Sequence, residues 1–402
     1  MVRQRPPRSR ASARCGKLSR MDAALTLLKD LIAIDSVNPS LVPGARGEAE
    51  VARALAAAMA AAGLEVHVEE AAPGRPNVVG VLEGRAPGRS LMFCGHIDTV
   101  GVEGMAQPFT PAEADGRISG RGSQDMKSGV AAMVDAARVL QQSGGLAHGR
   151  LVIACVVDEE HASIGADALV TRWRTDGAVV TEPTDLQIAV AHKGFEWVEV
   201  ETHGVAAHGS RPRDGRDAIR MMGHVLTALD ALDAQLQGGA THRLLGPASL
   251  HASLISGGRE LSSYPDRCLL QFERRTLPGE TRGCAAREAA QIIERLSLAH
   301  PYFRASSREL FTRAPYEIAE GHALVAAMTH AASSAGIAAG LTGMSFWTDA
   351  SVLGDAGIPS LLFGPTGAGL HGLDEWVDAR SVCQCRDALV ALARQWCMLD
   401  GV

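Results

Sequence analysis

Apolar and polar positions alternate along this chain in two distinct registers. Residues 21–33 (MDAALTLLKDLIA) carry apolar side chains at helical spacing, and Asp35, Ser36 and the Asn38-Pro39 pair break that helix. Residues 47–63 predict a second, Ala-rich amphipathic helix that stops at Gly63. EVHVEE (65–70) and NVVGVLEG (77–84) read as short strands, and SLMFCGHIDTV (90–100) as a buried strand running into a loop. A helix follows over 126–141. Two more buried strands follow, in LVIACVVDEE (151–160) and GAVVTEPT (177–184), each ending in acids. Strands that alternate with helices imply an α/β domain with a mixed, mostly parallel sheet covered on both faces. Ligands of such sheets bind at the carboxyl ends of the strands. Those are the places where this chain puts His, Asp and Glu.

From Phe195 the register changes. FEWVEVETHG (195–204) is a strand with polar alternation, DAIRMMGHVLTALDAL (217–232) a helix, and 248–258 and 266–276 two further strands. A helix over 287–300 and a strand over 302–311 complete the order β-α-β-β-α-β, that of a ferredoxin-like α+β module. Strand-helix features resume near Glu317, with HALVAAMTHAASSAG (322–336), IPSLLFGPTG (358–367) and a final helix near 381–397. The expected organisation is a discontinuous α/β domain over 21–194 and 312–402, interrupted by a ferredoxin-like insert over 195–311. No repeat of fixed period is present.

Composition narrows the classes. A chain of 402 residues with 46% hydrophobic and 21% charged residues suits a folded globular protein of two or three domains. No run approaches the roughly 18 apolar residues of a membrane span. The net charge of −6 is mild, so neither nucleic acid nor membrane is an expected partner. The first 20 residues hold seven Lys/Arg and no acid and are read as a basic disordered tail. An Arg- and Ser-rich, acid-free stretch also suits an organelle transit peptide, and Met21 would make a natural start. The eight Cys form no CxxC pair, and Cys94 and Cys155 sit inside apolar strands. That usage fits free thiols in a reducing cytoplasm, the expected location, and argues against a Cys-based zinc site.

Five segments carry the candidate chemistry: GHID (95–98), SQDMKSG (123–129), DEEHASIGA (158–166), TEPT (181–184) and GLHGLDE (369–375). Carboxylates placed beyond apolar strands are costly unless something cationic meets them. In GHID, His96 can bind a metal, while Asp98, two residues on and on the same side, can accept the other ring N–H. Asp125 opens a helix, where it either caps the helix or bridges two metals. Glu159 and Glu160 are adjacent and face opposite ways, so one can bind metal while the other serves as general base. Pro183 keeps Glu182 extended. His371 lies in a Gly-rich loop, where a lone His is more often an ordinary surface residue.

Together, in order and spacing, the five segments resemble the M20 metallopeptidase and deacylase family, which includes acetylornithine deacetylase, succinyl-diaminopimelate desuccinylase, aminoacylase-1 and carboxypeptidase G2. The resemblance covers roughly residues 21–400. It implies an amidohydrolase with two zinc ions per chain, cobalt or manganese being alternatives. His96 and Glu182 would hold one ion, Glu160 and His371 the other, and Asp125 would bridge them. Glu159 would be the general base and Asp98 the partner of His96. The Asp125–Met126 bond would be cis. The insert resembles the family's lid and dimerisation domain, implying a homodimer in which His208 (GVAAHGSRP, 204–212) reaches the partner's active site to stabilise an oxyanion. Arg275, in FERRTLPGE (272–280), stands where the family binds a substrate carboxylate, and a guanidinium suits that group. Read alone, Arg275 is equally a strand-surface Arg in an ion pair. Ser262 aligns where many relatives have Asn. The Gly-rich loop around Gly367 is a further candidate for carboxylate contacts.

The implied reaction is removal of an acyl group from an N-acyl amino acid, a small substrate with a free carboxylate. A dipeptidase or carboxypeptidase of the same family, and a non-catalytic metal-binding homologue, are the competing readings. The homologue would be expected to lack the base or a ligand, and here Glu159 and all five inferred ligands are present.

Overall fold

The structure is a computed structural model that describes residues 22–399; the tail assigned to residues 1–20 and the start at Met21 lie outside them. The larger sheet has nine strands. Its order runs Glu65–Ala72, Arg75–Glu83, His148–Val156, Ala86–His96, Ala178–Val180, Ser360–Leu362, Ile188–His192, Tyr316–Glu317, with Leu341–Met344 also pairing Ile188–His192. The middle of the sheet, from His148–Val156 to Ser360–Leu362, is parallel. Antiparallel pairs flank it on both sides.

The apolar runs explain why the central strands are buried on both faces. Leu91, Phe93, Leu151, Ile153 and Val179 point into one core, packed on the helices Lys127–Gln142 and Ala379–Cys397. The alternate residues Met92, Cys94, Val152, Ala154, Ala178 and Val180 point into a second core on the other face. Side chains that alternate across a strand require two cores when both faces are covered. The helix Lys127–Gln142 is buried nearly all round and presses on the strand end that carries Glu182. A Cβ on Gly129 would lie 2.0 Å from the carbonyl oxygen of Thr181, so only glycine fits there. Lys127 turns back to donate from Nζ to the carbonyls of Leu31 and Ile34, each 2.9 Å away, satisfying the exposed end of the helix Ala23–Ile32. Burial pushes its ammonium down to about 7.

The insert forms its own four-stranded antiparallel sheet, in the order Ser249–Gly257, Arg267–Thr276, Gly194–His203, Ala305–Arg313. With the helices Ala218–Gly238 and Cys284–Ala299 this is the expected β-α-β-β-α-β sequence, with one unforeseen short ribbon, Thr241–His242 against Gly246–Pro247. Val198, Val200, Leu270 and Phe272 pack on Met222, Ile292 and Phe303 to give it a separate core. The two chain crossings between the sheets lie back to back. A Cβ on Gly194 would meet the nitrogen of Pro315 at 2.3 Å and the carbonyl of Arg313 at 2.5 Å. Among the described residues no helix is long and apolar enough to cross a membrane.

Candidate metal centre and active site

Three neighbouring parallel strands deliver the site. His96 is the last residue of Ala86–His96, Glu159 and Glu160 follow His148–Val156, and Glu182 follows Ala178–Val180. Asp125 comes from the loop before the helix Lys127–Gln142, and His371 from the loop beyond Ser360–Leu362. Asp125 does not cap its helix; its carboxylate faces the two imidazoles instead. Oδ1 lies 3.0 Å from His96 Nε2 and Oδ2 lies 3.4 Å from His371 Nε2. Glu182 is 3.7 Å from His96 Nε2, and Glu160 is 3.0 Å from His371 Nε2. Two donor groups result, His96-Asp125-Glu182 and Asp125-Glu160-His371, each with its atoms within 4.8 Å of one another and sharing Asp125. The Asp125–Met126 bond is cis, as the resemblance implies.

The electrostatics of the cluster call for cations. Burial pushes Glu160 up to about 7, with the charge of Asp125 adding to it. Burial also raises Glu159 and Glu182 well above the usual carboxylate range; the charge of Glu182 adds to the rise of Glu159, and those of Asp125 and Glu160 to the rise of Glu182. Asp125 is held low despite burial, because His371 and His96 both bond to it. The same contacts, with Asp125 first and Glu160 second, lift His371 to about 10. One oxygen of Glu160 is buried with no hydrogen-bond partner. An orphaned, buried carboxylate oxygen beside imidazole nitrogens is what a divalent cation would satisfy, and this mixed N/O donor set fits zinc, cobalt or manganese. Glu159 belongs to neither group, and its nearest approach to His96 Nε2 is 4.0 Å.

Asp98 acts differently from expectation. The His96 ring nitrogen Nδ1 meets the Asp98 backbone carbonyl at 3.0 Å, whereas the Asp98 carboxylate stands 3.6 Å away. That carboxylate instead accepts from Asn38 Nδ2 at 2.8 Å and from the backbone N–H groups of Glu159 and Glu160 at 3.2 Å each. Asp98 therefore fixes both His96 and the acidic turn. Below the turn, Asp158 accepts from Asn38 and from Arg75, which also pairs with Glu48. Asp158 and His371 hold left-handed backbone conformations, φ 71° and 58°, uncommon for residues other than glycine and concentrated at functional sites.

Two further carboxylates stand beside the site. Glu375 is fully buried and accepts from the N–H groups of Gly122 (3.0 Å), Gln124 (2.8 Å) and Asp125 (3.1 Å) and from Arg121 Nη1 (2.7 Å). It pins the loop that presents Asp125. Replacing it by Ala would orphan three N–H groups and leave Arg121, 2% exposed, without its counter-charge. Glu375→Ala is expected to cost about 3–5 kcal/mol. A denaturant titration that finds less than about 1 kcal/mol would refute this role. Asp349 is likewise buried, and burial pushes it up to about 7.

The cluster opens into a cleft of roughly 380 Å³. Arg275 reaches this cleft from the smaller sheet, with Glu273 beside it. Its Nε donates to Glu273 at 2.6 Å, and among the described residues its two terminal nitrogens make no hydrogen bond. Phe195, Trp197, Phe346 and Trp347 form an aromatic wall next to it. Three expected site residues do not reach the cleft of their own chain. His208 and Ser262 are exposed together on the smaller domain, where the Gly209 N–H donates to the Ser262 carbonyl at 2.7 Å. Gly367 pairs with Val377 in a short ribbon, and the cleft lining passes through Leu370 and His371 instead.

Paired cation sites at the carboxyl ends of parallel strands, with a spare carboxylate alongside, define a metal-dependent hydrolase. Residues 92–395 match the model for Peptidase family M20/M25/M40, and the chain belongs to that family, which hydrolyses amide and peptide bonds. Over 81% of its length the chain is 26% identical to N-formyl-4-amino-5-aminomethyl-2-methylpyrimidine deformylase of Bacillus subtilis, covering 84% of that protein. It is 31% identical to acetylornithine deacetylase of Photorhabdus laumondii over 64% of this chain and 68% of the relative. In fold it resembles aminopeptidase PepT from Bacillus cereus, with a TM-score of 0.77 at 20% identity, over 93% of this chain and 98% of the other. It also resembles Bacillus subtilis YXEP, a dinuclear metal binding peptidase, with a TM-score of 0.70 at 15% identity over 93% and 97% of the two chains.

Proposed function

We propose that this chain is a two-zinc deacylase that frees an amino acid from its N-acyl derivative. The reading rests on one juxtaposition: two donor groups sharing Asp125, Glu159 lining the cleft beside them, and an unpaired guanidinium edge on Arg275 lining the same cleft. His96, Asp125 and Glu182 would hold one ion, and Asp125, Glu160 and His371 the other. When bound, the ions acidify a water and polarise the scissile carbonyl. Glu159 takes a proton from the attacking water and returns it to the leaving amine. Arg275 binds the substrate carboxylate and so sets the amide against the acidic turn.

Dimerisation through the smaller domain belongs to this reading. Ser249–Gly257 is an edge strand with Leu254 66% and Ile255 57% exposed, an unprotected edge suited to a second copy. His208, solvent-exposed in one chain, would then enter the partner's cleft and stabilise the oxyanion. A one-chain mass by light scattering at working concentration would remove His208 from the mechanism.

The test is a hydrolysis panel on metal-loaded protein, with N-acetyl, N-succinyl and N-carbamoyl amino acids beside dipeptides. Release of amino acid from an N-acyl substrate at a kcat/KM at least tenfold above any dipeptide is expected. Preference for dipeptides would make the chain a peptidase of the same family.

A further inference from the structure

We infer that the aromatic wall of the cleft selects substrates whose carboxylate-bearing half carries an aromatic side chain; this rests on the deacylase reading and narrows its substrate. The chain is poor in aromatics, with eight Phe, five Trp and three Tyr in 402 residues. Two of the Phe and two of the Trp nevertheless line this one cleft: Phe195, Trp197, Phe346 and Trp347. Phe195, Trp197 and Trp347 form a tilted array rather than a stack. Phe195 lies 5.1 Å from Trp197, and 6.0 Å from Trp347 at 86°. Phe311 backs Trp197 at 5.6 Å. Such an array accepts one more ring in the offset or edge-on geometry that aromatic pairs prefer.

Both indole N–H groups are already satisfied within the protein. Trp197 Nε1 donates to Glu273 at 2.8 Å, and Trp347 Nε1 donates to the Ala314 carbonyl at 3.0 Å. Phe195 and Trp347 are buried, 8% and 7% exposed, so the surface offered to a ligand comes mainly from the half-buried Trp197 and Phe346, and it is apolar. The register of the smaller sheet says which half of the substrate meets it. Phe195 is directly opposite Arg275, and Trp197 directly opposite Glu273, on adjacent antiparallel strands. The Arg275 guanidinium is 5.5 Å from the Phe195 ring centre. A carboxylate held by Arg275 thus has its own α-carbon beside the wall, while an acyl group lies across the scissile bond from it. The matching substrate is an N-acyl derivative of an aromatic amino acid.

The experiment uses the metal-loaded full chain with N-acetyl-L-phenylalanine, N-acetyl-L-alanine, N-acetyl-L-ornithine and N-phenylacetyl-L-alanine. Burial of a ring predicts a kcat/KM for N-acetyl-L-phenylalanine about tenfold to a hundredfold above that for N-acetyl-L-alanine, expressed mainly in KM. Trp197→Ala should shrink that ratio to below about threefold, and Trp197→Phe should keep most of it. Equal or better turnover of the alanine or ornithine compound overturns the inference, and so does equal preference for N-phenylacetyl-L-alanine. If nothing is hydrolysed, the indole fluorescence of Trp197 and Trp347 reports binding directly. N-acetyl-L-phenylalanine binding at least tenfold tighter than its alanine analogue would keep this inference and remove the deacylase reading. Equal affinity, or no binding, would overturn the inference itself.

Discussion

Glu159→Gln is expected to lower turnover by about 10²–10⁴-fold while the protein keeps its full complement of metal. Glu159 stands outside both donor groups, so exchanging its carboxylate for an amide removes the proton acceptor and leaves the ligands in place. Asp125→Ala should fail in a different way. Asp125 offers one oxygen to each group, so both ions should be lost, and activity with them. Metal analysis of the two purified variants separates the roles. A Glu159→Gln protein that turns over within tenfold of the parent would mean that some other group moves the proton. One that has lost its metal would make Glu159 a ligand.

The second large effect is expected on removing the metal, and it should depend on pH. Chelation should abolish hydrolysis, and the gap in thermal stability between loaded and stripped protein should widen from pH 5 to pH 8. In the stripped chain burial pushes Glu160 up to about 7 from its ordinary 4.5, and its bonds to Asp125 and Glu160 lift His371 to about 10 from its ordinary 6.5. A group raised on folding lends stability that is complete below its unfolded value and lost as pH rises through its folded value. The stabilising contribution of these two groups should therefore fade between about pH 5 and pH 10 in the stripped protein; buried Lys127, pushed down to about 7, works the other way above pH 7 but does so with or without metal and drops out of the gap. Asp125 has the opposite sign, but it is depressed below 3.8 and titrates outside this window. The loaded protein should move the other way, because the ions need deprotonated donors. With metal at a thousandfold above its Kd the stabilisation is about 4 kcal/mol. A gap that stays constant or narrows with rising pH would mean that these side chains do not hold the ions.

Much of the molecule is legible in its sequence because each signal is local. LVIACVV followed by Asp-Glu-Glu, or AVV followed by Thr-Glu, states both a doubly buried strand and the acid at its end. Asp125 and His371 are weaker signals alone, and became readable through the spacing of the whole set. What stayed hidden depends on contacts between distant segments. Glu375 lies in a motif singled out from sequence, yet its partners Gln124 and Asp125 are about 250 residues away. The aromatic wall joins alternate positions of one strand, Phe195 and Trp197, to Phe346 and Trp347 from another part of the chain, so no single window contains it. The two-residue spacing predicts that the Asp98 side chain meets His96. The backbone carbonyl of the same residue reaches the ring first, and Asn38 and the two N–H groups of the acidic turn claim the carboxylate. Short pieces such as Leu341–Met344 are too brief to show a period.

The paired crossings at Gly194 and Arg313–Pro315 are where the smaller domain joins the larger, the natural pivot for any relative motion, and distance from that pivot sorts the side chains of the smaller domain. Phe195 stands next to that pivot, whereas the far end of its strand, near His203, is about 30 Å away. A swing of the smaller domain through a given angle would hardly move the recognition wall but would sweep the loop bearing His208 through many ångströms. Recognition of the side chain would then come before the swing, and completion of the oxyanion pocket after it.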